Sequence, residues 1–274
     1  MVGEDVLSGC TVCEPAVPVE VLRVEGLTVY RETQLAVQNV SFSLLAGTDT
    51  AVVGPNGAGK STLIQTLLGI FSRQSGEIFI LGQPLSPKGT LAAPIRQQIA
   101  YLPQSFLFDR RLPITVEELV GLGWDRPGLC IPWRDRATRQ QAIRQSLSRV
   151  DAWHLRHQLI GGLSGGETKR MLLAYCLVRP RKLLLLDEAP AGLDMRGEGE
   201  FYQLLSELKQ ENNWAILQIS HDIDMVRQSC DRVICLNRTI HCQGTPELTL
   251  TPENLSQAYG SDFVPYHHTC RETI

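Results

Sequence analysis

Gly54-Pro55-Asn56-Gly57-Ala58-Gly59-Lys60-Ser61-Thr62 fits the pattern G-x-x-x-x-G-K-[ST], and the residues on either side supply the flanks that a phosphate loop needs. Apolar Ala51 to Val53 reads as a buried strand running into the loop. Ser61 to Leu68, with Leu63, Ile64, Leu67 and Leu68 at helical spacing, reads as the helix running out. Strand, glycine turn and helix N-terminus then converge on one point. There, backbone N–H groups lack intrahelical partners and the helix dipole favours negative charge, so main chain alone can hold a polyphosphate. Gly54, Gly57 and Gly59 allow the close backbone approach this requires. The motif expects Lys60 to reach the β- and γ-phosphates and the Ser61 hydroxyl to hold Mg²⁺.

Working outward, the 274 residues allow a sizeable core, as one large domain or two small ones. Lys and Arg number 26 against 29 Asp and Glu, a net charge of −3, so no basic field argues for nucleic acid. No apolar run approaches the length of a membrane span, and Met1 to Asp5 lacks the basic-then-apolar pattern of a secretory signal; the chain is expected in the cytoplasm. Eight cysteines, Cys10, Cys13, Cys130, Cys176, Cys230, Cys235, Cys242 and Cys270, follow no repeating frame and are expected as thiols.

Upstream of the loop, residues 1–18 read as a flexible lead-in. The runs Val21–Val24, Leu27–Val29 and Val40–Leu44 then read as antiparallel strands. Tyr30 ends the second, where an aromatic alone is expected to pack. Downstream, Ser75–Gly82 and Ile99–Leu102 read as strands, the latter reaching Pro103 and Gln104. Polar runs with apolar residues at three-to-four spacing make residues 115–159 a helical insert, broken around Trp124, Pro127, Gly128, Pro132 and Trp133. Then come Leu163-Ser164-Gly165-Gly166-Glu167 before a helix over 168–178, and four leucines, Leu183 to Leu186, ahead of Asp187 and Glu188. The last marked stretch is the strand 215–219, before Ser220 and His221. Four leucines read as a strand buried on both faces, placing its two acids at the C-terminal edge, where open α/β sheets bind ligands. Paired acids there are costly unless they meet a cation.

The phosphate loop, Gln104, Leu163–Glu167, Asp187-Glu188, Ala191–Asp194 and His221 occur in the order and near the spacings of the ATP-binding-cassette (ABC) ATPases, which residues 20–260 resemble. The resemblance implies an α/β fold: a P-loop core with a parallel sheet, an N-terminal antiparallel β subdomain and an inserted helical subdomain at about 105–180, within a nucleotide-binding domain of 19–260. A loose tail, 261–274, follows. It implies that Asp187 fixes Mg²⁺ with Ser61, that Glu188 orients or deprotonates the attacking water, and that His221 contacts the γ-phosphate. Gln104 resembles the glutamine that touches Mg²⁺ or the water and senses the membrane partner. Tyr30 resembles the aromatic on which adenine stacks, which reverses the packing expectation. Ser164, Gly165, Gly166 and Glu167, with Asp194, resemble the elements that close over the ATP of a second copy, giving a head-to-tail dimer with two sandwiched nucleotides. Such a subunit works at the cytoplasmic face of the membrane on an integral permease.

Two departures stand out. The family signature usually ends in glutamine where this chain has Glu167, adding negative charge near the partner's nucleotide. The strand acid is usually followed by proline, but here the order is Glu188-Ala189-Pro190, so the proline constrains Ala189 instead of Glu188. Stretches 101–109, 112–116, 231–238, 250–255 and 258–260 resemble the ATPase subunits of manganese, zinc and iron importers, which implies an extracytoplasmic metal-binding protein as an indirect partner. The competing classes are exporter subunits and ABC ATPases of DNA repair or translation; the long coiled-coil insert or second phosphate loop of the latter is absent from this sequence. Cys10, Cys13, His267, His268 and Cys270 have ligand types and spacing compatible with zinc if the tails meet, against the plainer reading of incidental thiols.

Overall fold

The computed structural model describes residues 19–106, 108–109, 111–125 and 136–260. The tail residues Cys10, Cys13, His267, His268 and Cys270, and the breaks expected at Pro127, Gly128, Pro132 and Trp133, lie outside these. Two long antiparallel strands come first, β1 (Glu20–Arg31) and β2 (Gln34–Leu45). The runs 21–24 and 27–29, expected as separate strands, are both part of β1. Gly26 at φ +58° and a register shift against β2 between Val24 and Leu27 form an irregularity that absorbs the broken alternation without ending the strand.

Next come β3 (Asp49–Val53), α1 (Lys60–Leu67), β4 (Ser75–Ile80) and the short β5 (Gln83–Pro84). The antiparallel sheet runs β2-β1-β4-β5. A turn of helix, α2 (Ala93–Arg96), and β6 (Ile99–Leu102) lead into a helical stretch: α3 (Val116–Trp124), α4 (Arg136–Arg149) and α5 (Gly165–Leu177). Thr115 and Glu118 close a capping box on α3, which fixes its start. Then follow β7 (Leu183–Asp187), α6 (Met195–Asn212), β8 (Ala215–Ile219), α7 (Ile223–Ser229), β9 (Arg232–Asn237), β10 (Thr239–Gly244), α8 (Pro246–Thr249) and α9 (Pro252–Tyr259).

The second sheet runs β10-β9-β3-β8-β7-β6, parallel except for β10 at its edge. Covered on both faces, its central strands are buried throughout. Because side chains alternate, Leu184 and Leu186 enter the apolar cluster that continues into α3, α4 and α5, while Leu183 and Leu185 enter the one shared with the antiparallel sheet. One strand thus joins two cores, which holds its C-terminal acids rigidly.

Among the polar groups buried in the described residues is a pair that the sequence did not announce. Asp49, 4% exposed at the start of β3, faces Gln218 of β8, whose Nε2 lies 2.9 Å from both carboxylate oxygens. Its backbone N–H donates to Asp231 Oδ2, which also accepts from Lys209 Nζ. Burial pushes the Asp49 carboxyl up from 3.8 to about 7, and the Gln218 hydrogen bond and the Lys209 charge oppose that rise only in part.

Candidate functional site

The loop from Gly54 to Gly59 is shaped by close packing against backbone. A Cβ on Gly54 would stand 1.9 Å from the Leu236 carbonyl oxygen, and one on Gly59, at φ +96°, 2.2 Å from that of Ala36. Neither position tolerates a side chain without moving main chain. Ala58 is buried and its carbonyl accepts from Arg238 N–H, while Asn56 and Gly57 are exposed at the tip. Gly59 is the N-cap of α1, so the first N–H groups of that helix face the loop. Lys60 is 6% exposed, and its Nζ donates to the carbonyls of Gly54 at 2.7 Å and Pro55 at 3.0 Å. Burial lowers its pKa, while the charges of Glu188 and Asp187 act the other way. Thr62 is buried, and its carbonyl accepts from Thr66 Oγ1.

Asp187 ends β7 beside this loop. Ser61 Oγ donates to Asp187 Oδ1 at 3.3 Å, and the Tyr101 hydroxyl of β6 also bonds the carboxylate. Burial raises the Asp187 pKa, with the Ser61 hydrogen bond the first effect opposing it, and burial next to Asp187 pushes the Tyr101 phenol up to about 12. Tyr101 is a site residue beyond those expected from the sequence. Its sequence signal is its place on β6, three residues before Gln104 in the segment that follows the strand.

Glu188 takes φ +48°, in the left-handed region. A proline immediately after it would disfavour helical conformations there, so moving the proline to 190 leaves Glu188 free of that clash. The turn is held by Glu188 N–H donating to Ile219 O at 3.2 Å and Ala191 N–H donating to Glu188 O at 3.0 Å. In this conformation the carboxylate is shared: Gln104 Nε2 donates to Oε2, and Oε1 meets His221 Nε2. Glu188, Pro190, Ser220, His221 and Asp222 line one cleft of about 320 Å³. Gln104 is held in turn, because Lys169 Nζ donates to its main-chain carbonyl at 3.1 Å.

Five residues expected from four separate stretches, Ser61, Gln104, Asp187 with Glu188, and His221, therefore meet at the C-terminal edge of the parallel sheet, with Lys60 alongside. Others stand apart from this cluster. Ser164 is the N-cap of α5, and its Oγ accepts from Glu167 N–H while the Glu167 carboxylate accepts from the Ser164 N–H and hydroxyl. Those bonds hold the Glu167 pKa down and turn its charge back on its own helix start. Gly165 and Gly166 open α5 next to Gly192 and Leu193. Asp194 caps α6, accepting from Gly197 N–H at 2.8 Å. Tyr30 lies at the end of β1 and is 47% exposed, so it does not pack into the core.

The sequence profile described as "ABC transporter" matches residues 37–191, more than half of the chain. The chain belongs to the ABC transporter family. As an ABC ATPase it binds and hydrolyses ATP. It is 39% identical to the zinc import ATP-binding protein ZnuC 1 of Hahella chejuensis over 84% of this chain and 80% of that protein. It is 34% identical to the manganese transport system ATP-binding protein MntB of Listeria monocytogenes over 87% of this chain and 96% of that one. Among solved structures, CbiO1 of Clostridium perfringens, described as part of the ABC transporter complex CbiONQ, superposes with a TM-score of 0.72 at 30% identity, covering 87% and 93% of the two chains. Like these ABC proteins, the chain has an α/β fold around its phosphate loop. No helix among the described residues is long and apolar enough to cross a membrane.

Proposed function

We propose that this ABC ATPase powers import of a divalent metal, manganese, zinc or iron, through an integral membrane permease, with an extracytoplasmic metal-binding protein delivering the cargo. The similarity to zinc and manganese import subunits supports the cargo class. In this reading the subunit sits at the cytoplasmic face of the membrane, its nucleotide-binding domain spans 19–260, and the helical subdomain occupies about 105–180.

The single observation that carries the hydrolytic reading is Glu188, held at the end of a buried strand between Gln104 and His221. Its carboxylate is the base and the orienting group for the attacking water, and His221 and Gln104 fix its direction. The loop Gly54–Thr62 cradles the phosphates, with Lys60 against the terminal ones. Tyr30 offers its exposed ring to adenine. Ser61 Oγ and Asp187 Oδ1, 3.3 Å apart and accompanied by Gln104, form an all-oxygen donor set that fits Mg²⁺. When bound, the ion neutralises charge on the phosphate oxygens. Two copies pair head to tail, and Ser164, Gly165, Gly166, Glu167 and Asp194 of each cover the nucleotide on the other.

Glu188→Gln keeps shape and hydrogen-bonding reach but removes the carboxylate charge. Hydrolysis is expected to fall by about 10²–10⁴-fold, while ATP binding survives and the variant runs as an ATP-dependent dimer by size exclusion. Lys60→Ala instead weakens nucleotide binding and forms no such dimer. Retention of wild-type turnover by Glu188→Gln refutes the assignment.

A further inference from the structure

Lys169 is a buried cation that the roles given above leave unused. It sits on the second turn of α5, five residues after the N-cap Ser164, and is 8% exposed. Among the described residues, no acidic side chain forms an ion pair with it. An ammonium taken out of water without a counter-charge is costly, and nothing in the packing of α5 calls for one, since a methionine or leucine would fill the same space. Burial accordingly lowers its pKa. What the amine does have is direction: its Nζ donates to the main-chain carbonyl of Gln104.

The bonds continue from that point. The side chain of the same Gln104 donates to Glu188 Oε2, and the other oxygen of Glu188 meets His221. Main chain and side chain of Gln104 are thus pinned from opposite directions, one by the helix that opens at Ser164 and the other by the carboxylate at the end of β7. Lys169 of α5 is thus connected to Glu188 through two hydrogen bonds and one residue. A groove of about 280 Å³ lined by Gln104, Phe106, Phe108, Leu163, Thr168 and Lys169 lies between the Gln104 segment and the start of α5. Phe106 and Phe108 pack against the apolar cluster that includes α5, and the Lys169 ammonium adds to that packing a directed bond to the Gln104 main chain.

We infer that Lys169 is a positioning residue for hydrolysis, tying the direction of the Glu188 carboxylate to the position of the helix that begins at Ser164. The inference rests on the proposed reading of Glu188 and Ser164. In that reading the start of α5 covers the nucleotide held by the second copy, so Lys169 makes the carboxylate of one site responsive to closure over the other. The two sites of a pair then fire together, and ATP hydrolysis is cooperative through this amine.

The test compares Lys169→Met, Lys169→Arg and Glu188→Gln in the full chain, measuring ATPase rate against ATP concentration, affinity for a fluorescent ATP analogue, and thermal midpoint. Lys169→Met is expected to lower kcat by roughly tenfold, on the scale of one lost charge-assisted hydrogen bond, and to bring the Hill coefficient down to about 1. Analogue affinity is expected to stay within twofold and the thermal midpoint to hold or rise, because a buried charge has been replaced by an apolar chain. Lys169→Arg keeps charge and donors and is expected to restore most of the rate and cooperativity. A purely structural lysine predicts the opposite pairing, with activity and midpoint falling together. Wild-type kcat and Hill coefficient in Lys169→Met, or a loss in Lys169→Arg equal to that in Lys169→Met, overturns the inference. If Glu188→Gln is inactive in the same assay, the reading of the site stands and only the role of Lys169 is lost. If Glu188→Gln is active, both fall.

Discussion

Replacing Asp49 by asparagine should make the protein less sensitive to alkaline pH, by an amount the structure sets. In the folded chain the carboxyl stays neutral up to about pH 7, whereas the unfolded chain ionises it above 3.8. Folding therefore takes up a proton between those values, so the stability Asp49 contributes is complete below 3.8 and is lost as pH rises through 7. A displacement of that size is worth at most about 4 kcal/mol, at about 1.4 kcal/mol for each pH unit crossed. Between pH 5.5 and 7.5 the wild type should lose about 2 kcal/mol that Asp49→Asn does not. The amide matches the neutral acid in shape, and Gln218 can turn its own amide over to accept from it, so the pair stays satisfied. The neighbours Lys209, Asp231, Cys230 and Tyr202 are the same in both proteins, so the comparison isolates the change at position 49. Urea unfolding of both proteins at the two pH values reads the difference directly. Thermal midpoints should separate by a further 4–8 °C or so at the higher pH. Parallel profiles, with the gap between the two proteins unchanged to within about 0.5 kcal/mol, would refute the reasoning, because Asp49 would then be ionised in the folded chain throughout.

Two more substitutions test the geometry of the loop and of the α5 start. Gly54→Ala puts a Cβ 1.9 Å from the Leu236 carbonyl. It should cost at least about 2–3 kcal/mol in urea unfolding along with nucleotide affinity, and a variant of wild-type stability would show that the loop is free to move. Ser164→Arg, placed in the Glu188→Gln background, should abolish the ATP-dependent dimer seen by size exclusion while binding of a nucleotide analogue is retained. A dimer of undiminished yield would mean that the start of α5 is not at the interface.

The parts of the fold legible in the sequence were those where one residue type has one physical reason to be present. Leu183 to Leu186 implied a strand covered on both faces, and the glycines around Lys60 implied a backbone that other backbone approaches closely. The split of β1 into two strands failed because Gly26 breaks the alternation of the sequence without breaking the hydrogen bonding. In the site, Asp187, Glu188, Gln104 and His221 could be named in advance, each at the end of an apolar run. Tyr101 and Lys169 could not, because each acquires its meaning from a partner far along the chain, Asp187 for one and the Gln104 carbonyl for the other. Asp49 and Gln218 were hidden for the same reason: one stands among threonines ahead of an apolar run and the other interrupts one, and only the register Ala51↔Gln218 brings their strands together. The turn of Glu167 onto Ser164 follows from the capping-box spacing S-x-x-E that the sequence itself carries.

The parallel pairing of β3 also dictates an order of events during synthesis. Its partners are β8 and β9, with Val53 opposite Cys235, so the strand that anchors the phosphate loop has no neighbour until synthesis has passed Ala215. At roughly 5–20 residues per second the ribosome leaves β3 unpaired for on the order of 10–40 s. The antiparallel sheet of β1, β2 and β4 has its strands early and close together in sequence, and it is the unit that forms first. Until β9 emerges, Ala51 to Val53 is an apolar edge open to pairing with other chains. A truncated product ending before β8 is therefore expected to aggregate, and translation pauses after residue 60 expose that edge for longer than pauses before residue 49.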